Sequence, residues 1–120
     1  MSKWKATIIV RSILLACPEI TAIIKEKMFP LVAPKGTAGD FIIVQRDKYS
    51  KQRSQMGVAN EDCQVFVNIV SDDYDRSCIL AELVDQALEG EHNGLSIQLM
   101  DSTEDFESDK FIQVLLFKLD

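Results

Sequence analysis

The sequence predicts one α+β domain with two layers, in which two or three helices pack on a mainly antiparallel sheet of about five strands. Three observations support this fold class. A chain of 120 residues is long enough to bury one core. Its 47% hydrophobic and 27% charged residues are typical of a globular protein. Apolar positions follow a helical period in some segments and a period of two in others, which predicts the order ααβββαββ over a single domain, residues 1–120.

Two helices are expected at the start of the chain. Residues 4–16 contain helix-forming residues and no glycine. Their broad apolar face consists of Trp4, Ile8, Arg11 and Leu15 on one side and Ile9, Ile13 and Ala16 on the other. Pro18 ends this helix and opens a second, shorter one, because proline is tolerated in the first turn of a helix. The second helix is expected to turn Ile20, Ile23 and Ile24 towards the core.

Two prolines and two glycines in residues 28–40 predict an edge strand followed by a turn. Residues 28–33 form the strand, and Pro30 confines it to a sheet edge because proline donates no ladder hydrogen bond. After the turn, the apolar run at residues 41–44 forms a second strand covered on both faces, which completes a hairpin. The polar residues 47–61 are expected to form an extended arm, or a disordered loop that becomes ordered on assembly.

The rest of the chain predicts a strand, a helix and two more strands. Residues 63–69 alternate between apolar and other side chains, as in a half-buried strand. Asp72 or Asp73 can cap a helix over residues 74–89, which Gly90 terminates. The apolar stripe of this helix is Ile79, Leu80, Leu83, Val84, Ala87 and Leu88. A strand at residues 95–100 precedes an acidic turn at 101–109. Residues 111–119 are apolar on both alternating sets, which predicts a central strand or a face covered by a partner.

No catalytic site is predicted. The sole histidine, His92, follows a helix end and is expected to be a solvated loop residue, so no nucleophile lies beside a base. The five glycines form no phosphate-binding loop. An acidic cluster lacks the spacing of a calcium loop; it consists of Asp101, Glu104, Asp105, Glu107 and Asp109. We therefore expect a protein that is not an enzyme and that has no cofactor and no metal.

The three cysteines, Cys17, Cys63 and Cys78, are expected to be buried thiols of a reducing compartment. Their odd number and their spacing fit neither a disulfide framework nor a metal site. Arg11 interrupts the apolar run near the N-terminus, so we expect neither a signal peptide nor a membrane span. Synthesis in the cytoplasm, with no membrane partner, is the expectation.

Charge is distributed unevenly along the chain. Residues 1–60 hold ten Lys or Arg against four Asp or Glu, a net charge of +6. Residues 61–120 hold three against fifteen, a net charge of −12. Either these charges are simply solvated or unlike patches on neighbouring copies meet. The basic residues Arg46, Lys48, Lys51 and Arg53 form a weak nucleic-acid site by themselves, because the chain is acidic overall and Tyr49 is the only nearby aromatic.

Several segments resemble the small tail-completion family of bacteriophages and prophages. The sharpest are MFPLVAPKGT at residues 28–37 and SDDYD at residues 71–75, and the order of elements is similar over nearly the whole chain. The resemblance implies a tail-terminator or head-to-tail joining protein, which assembles into a hexameric ring at the end of the tail tube. Its implied partners are further copies of itself and the tail-tube and head-connector proteins, with DNA only passing through the ring. It implies a place in the virion tail, after assembly in the bacterial cytoplasm.

A ring needs two different and complementary patches on each copy. We expect the basic segment of one copy to contact the acidic surface of residues 72–109 on the next, through Arg46, Lys48, Tyr49, Lys51, Arg53 and Met56. The alternative is a small accessory or binding domain, monomeric or dimeric, whose basic loop contacts a peptide or a nucleic acid.

Overall fold

The computed structural model describes residues 3–25, 27–55 and 57–120, which contain three α-helices and six strands. The helices are α1 (Ala6–Leu15), which follows a 3-10 turn at Lys3–Lys5, α2 (Pro18–Ile24) and α3 (Tyr74–Leu88). The strands are β1 (Met28–Pro30), β2 (Phe41–Ser54), β3 (Gly57–Ser71), β4 (Gly90–His92), β5 (Leu95–Glu107) and β6 (Lys110–Leu119). The α+β class is confirmed, although the sheet has one strand more than expected.

The six strands form one sheet in the order β1-β2-β3-β6-β5-β4. β6 lies between β3 and β5, so its predicted central position is confirmed. β1 pairs with β2 in parallel, with Met28 opposite Ile42, and the predicted hairpin is therefore wrong. Parallel neighbours cannot be joined by a tight turn. Residues 31–40, with their proline and glycines, instead carry the chain back to the start of β2, and Pro30 does stand on an edge strand.

The helices pack on one face of the sheet, the helix face; the opposite side is the open face. Side chains of both layers form one buried cluster, to which the central strands contribute Cys63, Val65, Val67, Ile69, Leu115, Phe117 and Leu119. α1 contributes Ala6, Val10 and Leu14. The buried line of α1 is thus shifted from the predicted face, because Trp4 and Ile8 are 61% and 60% exposed.

Both later helices begin where the sequence indicates. α2 starts at Pro18 and buries Ile20 and Ile24. Asp73 caps α3 by accepting a hydrogen bond from the amide of Asp75 at 3.3 Å, which confirms one of the two predicted caps. In α3 the buried stripe is Ser77, Leu80, Val84 and Leu88, whereas Ile79 is exposed. Among the described residues, no single helix is long and apolar enough to cross a membrane, and α1 with α2 passes that test only as a pair bent by 92°.

Two long antiparallel hairpins stand where the sequence predicted loops. β2 and β3 remain paired from Phe41 opposite Val70 to Ser54 opposite Gly57, so residues 47–54 and 57–61 form the extended arm, one of the two predicted alternatives, and not a disordered loop. β5 and β6 remain paired to Glu107 opposite Lys110, so most of the predicted acidic turn is strand. Only Ser108 and Asp109 form the turn, both with positive φ, as a two-residue hairpin turn requires.

The sixth strand, β4, was not predicted. It pairs with the start of β5 through a turn at Asn93 and Gly94, which have φ of 53° and 86°. Asn-Gly is a strong hairpin signal. The strand before it was missed because it has only three residues, too few and too polar to show the alternation of a strand. His92 lies on this strand and is half-buried, with Nε2 2.8 Å from the carbonyl oxygen of Leu88. It is therefore not the solvated loop residue that the sequence predicted.

The three cysteines are expected to differ in their effect on stability, because only Cys63 is in the core. Cys63 is buried, Cys17 is partly buried and Cys78 is exposed, so the prediction that all three are buried is wrong. We expect Cys63→Ala to lower the free energy of unfolding by about 1 kcal/mol through lost packing and Cys78→Ala to leave it unchanged within about 0.5 kcal/mol. Urea unfolding of both variants measures this difference. Equal losses would show that burial does not control the cost.

Candidate assembly surfaces

The arm is the part of the β2–β3 hairpin that extends beyond the rest of the sheet, residues 46–54 and 57–62. β3 begins to pair with β6 at Cys63, opposite Leu119, so in the part of the chain that the structure describes the two strands of the arm pair only with each other. Beyond the end of β1, the outer edge of β2 continues without a neighbouring strand among the described residues. The arm therefore exposes two faces and an edge, and the molecule measures 51 Å in its longest dimension.

A bulge at Asp47 determines which side chains share a face of the arm. Arg46 lies opposite Val65, and Tyr49 lies opposite Cys63, although three positions separate them along β2. Val65 and Cys63 are both buried in the cluster on the helix face, and cross-strand partners share a face. Lys51 and Arg53 follow Tyr49 at intervals of two. The helix face of the arm therefore carries Arg46, Tyr49, Lys51 and Arg53.

Trp4 joins this face from the N-terminal segment. Its ring stacks on Tyr49 with the centroids 4.6 Å apart, and the guanidinium of Arg46 lies 4.7 Å from the centre of the Trp4 ring. Trp4 and Tyr49 also line a surface depression with Ser50, Lys51 and Arg53. The sequence prediction missed Trp4, because its position in a helical pattern indicated core. An exposed tryptophan near cations is a feature that only the fold brings together.

One of the predicted interface residues, Lys48, does not share this face. Lys48 lies opposite Gln64 on the open face, where its Nζ is 3.0 Å from a carboxylate oxygen of Asp62. Met56 lies outside the described residues. The structure thus brings together four of the six predicted residues, Arg46, Tyr49, Lys51 and Arg53, and it places Lys48 in an ion pair within the same chain.

The acidic cluster is at the opposite end of the sheet from the tip of the arm. β6 runs from Phe111 beside Ser71 to Leu119 beside Cys63, so the β5–β6 turn lies near the base of the β2–β3 hairpin. Pairing separates the acidic side chains: Glu104 lies opposite the buried Gln113, on the helix face. Asp101, Asp105 and Glu107 lie opposite Leu116, Ile112 and Lys110, which alternate with the buried side chains of β6 and so are on the open face.

Glu104 fastens the acidic strand to α3. Its carboxylate accepts a hydrogen bond from Nε2 of Gln113 at 2.7 Å, and Gln113 also contacts Ser77 Oγ at 3.2 Å. The hydrogen bond from Gln113 and a second one from Tyr74 lower the pKa of Glu104, and the bond to Glu104 raises the pKa of Tyr74. The rings of Tyr74 and Phe111 pack edge to face with their centroids 5.7 Å apart. The acidic strand is thereby held to the domain at its middle.

The lowered pKa of Glu104 predicts a loss of stability in acid. A carboxyl whose pKa is lower in the folded than in the unfolded state stabilises the fold above its unfolded pKa, near 4.5, and this stabilisation disappears as the pH falls through the folded pKa. We expect the melting temperature of the wild-type chain to fall more between pH 6 and about pH 3 than that of Glu104→Gln. Glu107→Gln, which removes a carboxylate on the open face, is the control. A wild-type and a Glu104→Gln profile that run parallel would contradict the assignment.

The base of the arm is fixed by a buried carboxylate. Asp40, only 5% exposed, immediately precedes β2 and accepts a hydrogen bond from Ser71 Oγ at 2.9 Å. The guanidinium of Arg76 donates to both oxygens of Asp40, at 2.9 and 3.3 Å, and this carboxylate raises the pKa of Arg76. Ser71 Oγ also accepts from the amide of Asp73, the cap of α3. One carboxylate therefore connects the start of β2, the end of β3 and the start of α3.

This arrangement is suited to contact between surfaces. In the described part of the chain, no three His, Cys, Asp or Glu side chains are grouped so that they could hold a metal ion. A basic, aromatic face, which is the helix face of the arm, lies at one end of the molecule, and an acidic border lies towards the other; the border consists of Asp101, Asp105 and Glu107 on β5. Both are built on paired strands, so each has a defined shape before any partner is bound.

Comparisons with known proteins show likeness in fold only. No protein-family model and no curated protein matches the chain. A chain in the virion of a native gene transfer agent (GTA) particle is similar in structure, with a TM-score of 0.77 and 16% identity over 92% of this chain and 89% of that one. A second solved chain, whose name does not state a role, has a TM-score of 0.60 and 14% identity over 100% of this chain and 95% of that one. This protein therefore has a fold that is found in a component of a virion.

Proposed function

We propose that this chain is a non-enzymatic structural protein of a phage or prophage tail. In this proposal it assembles into a ring at the end of the tail tube and joins the tail to the head. The likeness in fold to a chain of a virion, over nearly the full length of both chains, supports a place in such a particle. The observation that most supports assembly into a ring is the placement of unlike charge at the two ends of one elongated sheet.

Unlike surfaces at opposite ends favour contact between copies over pairing of each surface with itself. Two arms brought together would place cations against cations, and two acidic borders would place carboxylates against carboxylates. The basic face of one copy and the acidic border of the next attract each other instead. Such a head-to-tail contact forms a closed ring if its rotation closes and a filament if it does not. The resemblance of the sequence to tail-completion proteins favours closure, with six copies.

The partners follow from this position in the particle. The ring would contact the last ring of the tail tube on one side and the head connector on the other, with DNA passing through its centre. Assembly would take place in the bacterial cytoplasm, and the finished ring would remain in the virion tail.

The proposal is tested by the mass of the purified chain in solution. Sedimentation over a range of protein concentrations should show a monomer and one larger closed species, with few intermediates. Salt should shift the balance towards monomer, since exposed charges are screened beyond about 8–10 Å at physiological ionic strength. The proposed ring would be wrong if the chain stays monomeric at about 1 mM in low salt and does not bind to tail tubes.

A second candidate function rests on the aromatic residues of the arm. Trp4 and Tyr49 lie among cations, and nucleic-acid bases stack on such rings in proteins that bind single strands. In this case the chain would be a small accessory domain that binds a nucleic acid through the arm. Fluorescence anisotropy with a labelled single-stranded DNA tests it, and micromolar binding by the monomer at physiological salt would favour this function over the ring.

A further inference from the structure

The open face of the sheet carries an apolar strip, although the helices pack on the other side. The half-buried side chains of this strip are Ile43, Phe66, Ile112, Val114 and Leu116, and they surround Asn68. None of the five belongs to the buried cluster that the helices form with the sheet. Antiparallel sheets with one face in water normally carry polar side chains on that face. The apolar strip is therefore suited to contact with a surface of another molecule.

Carboxylates border this apolar strip along β5. Cross-strand pairs place Phe66 beside Leu116 and Leu116 beside Asp101 in one row across the sheet. Two rows further along β6, Ile112 lies beside Asp105, and Glu107 follows at the end of the strand. A surface that covers the strip would therefore need apolar or aromatic groups at its centre and cations along one side.

The helix face of the arm has this composition. It combines the stacked rings of Trp4 and Tyr49 with the cations Arg46, Lys51 and Arg53. The three cations are exposed, and Tyr49 is partly buried. Because the strip and the arm differ in charge, the contact is between unlike surfaces of two copies, as a ring requires.

We propose that the helix face of the arm of one copy covers the open face of the sheet of the next, with Arg46, Lys51 and Arg53 against Asp101, Asp105 and Glu107. This inference rests on the proposed ring and states how its subunits join. The apolar strip supplies buried area, and the charges determine the direction of the contact and its register.

A different contact, in which the edge of β5 adds to the edge of β2, fits the charges less well. If the sheet continued from one copy to the next through paired edges, the helix face of one copy would adjoin the helix face of the next, and open face would adjoin open face. The three cations would then lie beside Ser102, Glu104 and Phe106, and the three carboxylates would lie on the side of Lys48, which is already paired with Asp62. Packing of face on face brings all three cations to all three carboxylates.

A charge exchange tests the contact. Asp105→Lys with Glu107→Lys should weaken ring formation at least tenfold, as should Lys51→Glu with Arg53→Glu. The chain that carries all four substitutions should recover to within about threefold of the wild type. The control is Glu82→Lys with Glu91→Lys, which makes the same change in net charge at exposed positions of α3 and β4 and should leave assembly unchanged. Circular dichroism shows whether each variant folds.

A proline substitution separates face packing from edge pairing. The amide of Ser102 is bound by the side chain of its neighbour Asp101 at 2.9 Å, so it points to the free edge of β5, where proline is tolerated. Ser102→Pro should assemble like Ser102→Ala. A tenfold loss in Ser102→Pro alone would overturn face packing in favour of edge pairing. If the wild type forms a ring and the charge-reversed variants form it equally well, the inference is overturned and the proposed ring stands. If the wild-type chain never assembles, both are overturned.

Discussion

A chain in which Arg46, Lys51 and Arg53 are all replaced by glutamate is expected to remain a folded monomer under conditions in which the wild type assembles. The three side chains project from the helix face of a two-stranded arm and are exposed, so the fold does not depend on their charge. If each lost charge pair costs up to about 1 kcal/mol, self-association should weaken on the order of 100-fold. Sedimentation measures this loss, and thermal melting verifies the fold.

The matched control for this variant reverses three other exposed cations. Replacing Lys5, Arg11 and Lys35 by glutamate also moves the net charge from −6 to −12, because each reversal changes it by −2. Assembly of this control should stay within a few-fold of the wild type. If the control is as defective as the arm variant, net charge alone drives assembly and the arm has no special part in it.

Replacing Asp40 by alanine is expected to cause the largest loss of stability of any single substitution considered for this chain. Asp40 is almost fully buried, and its loss leaves Ser71 Oγ and the guanidinium of Arg76 without their acceptor. Because Arg76 is about half exposed and can turn to water, we expect a cost of about 2–3 kcal/mol, below the range for a fully buried pair. The melting temperature should fall by about 10 °C.

Asp75→Ala serves as the comparison for Asp40→Ala. Asp75 lies in the first turn of α3 and is exposed, so its carboxylate affects only the helix dipole, with a cost of about 0.5 kcal/mol. Chemical denaturation of both variants gives the two free energies directly. A loss for Asp40→Ala as small as that for Asp75→Ala would show that the three elements around Asp40 are held together by other contacts.

The sequence predicts the parts of this fold in which burial imposes a pattern on the residues. Alternation in residues 63–69 identifies β3, and the two apolar sets of residues 111–119 identify a central strand. The capping aspartate likewise identifies the start of α3. The arm and the acidic strand have no such pattern, because water reaches both of their faces and polar residues are accepted at every position. Each of these segments is paired because it continues a strand whose other half does have an apolar pattern.

The candidate surface is predicted in composition and not in geometry. Charge along the sequence indicates Arg46, Lys51 and Arg53, since unlike halves are visible without a structure. That Lys48 is turned away towards Asp62 could not be predicted, because it depends on a bulge. Trp4 arrives from a distant segment through tertiary packing. The parallel pairing of β1 was also hidden, because proline and glycine indicate only that the chain turns and not the direction in which it returns.

The bulge at Asp47 gives β2 one residue more than the stretch of β3 with which it pairs. Arg46 opposes Val65 and Lys48 opposes Gln64, which are consecutive on β3, so Asp47 is the extra residue of the bulge. Its removal would leave both pairs as they are, and Arg46 and Lys48 would stay on opposite faces of the arm. A one-residue deletion nearer the tip would instead shift the paired positions by one and move side chains to the other face. Related chains that are one residue shorter at Asp47 are therefore expected to recognise the same neighbours.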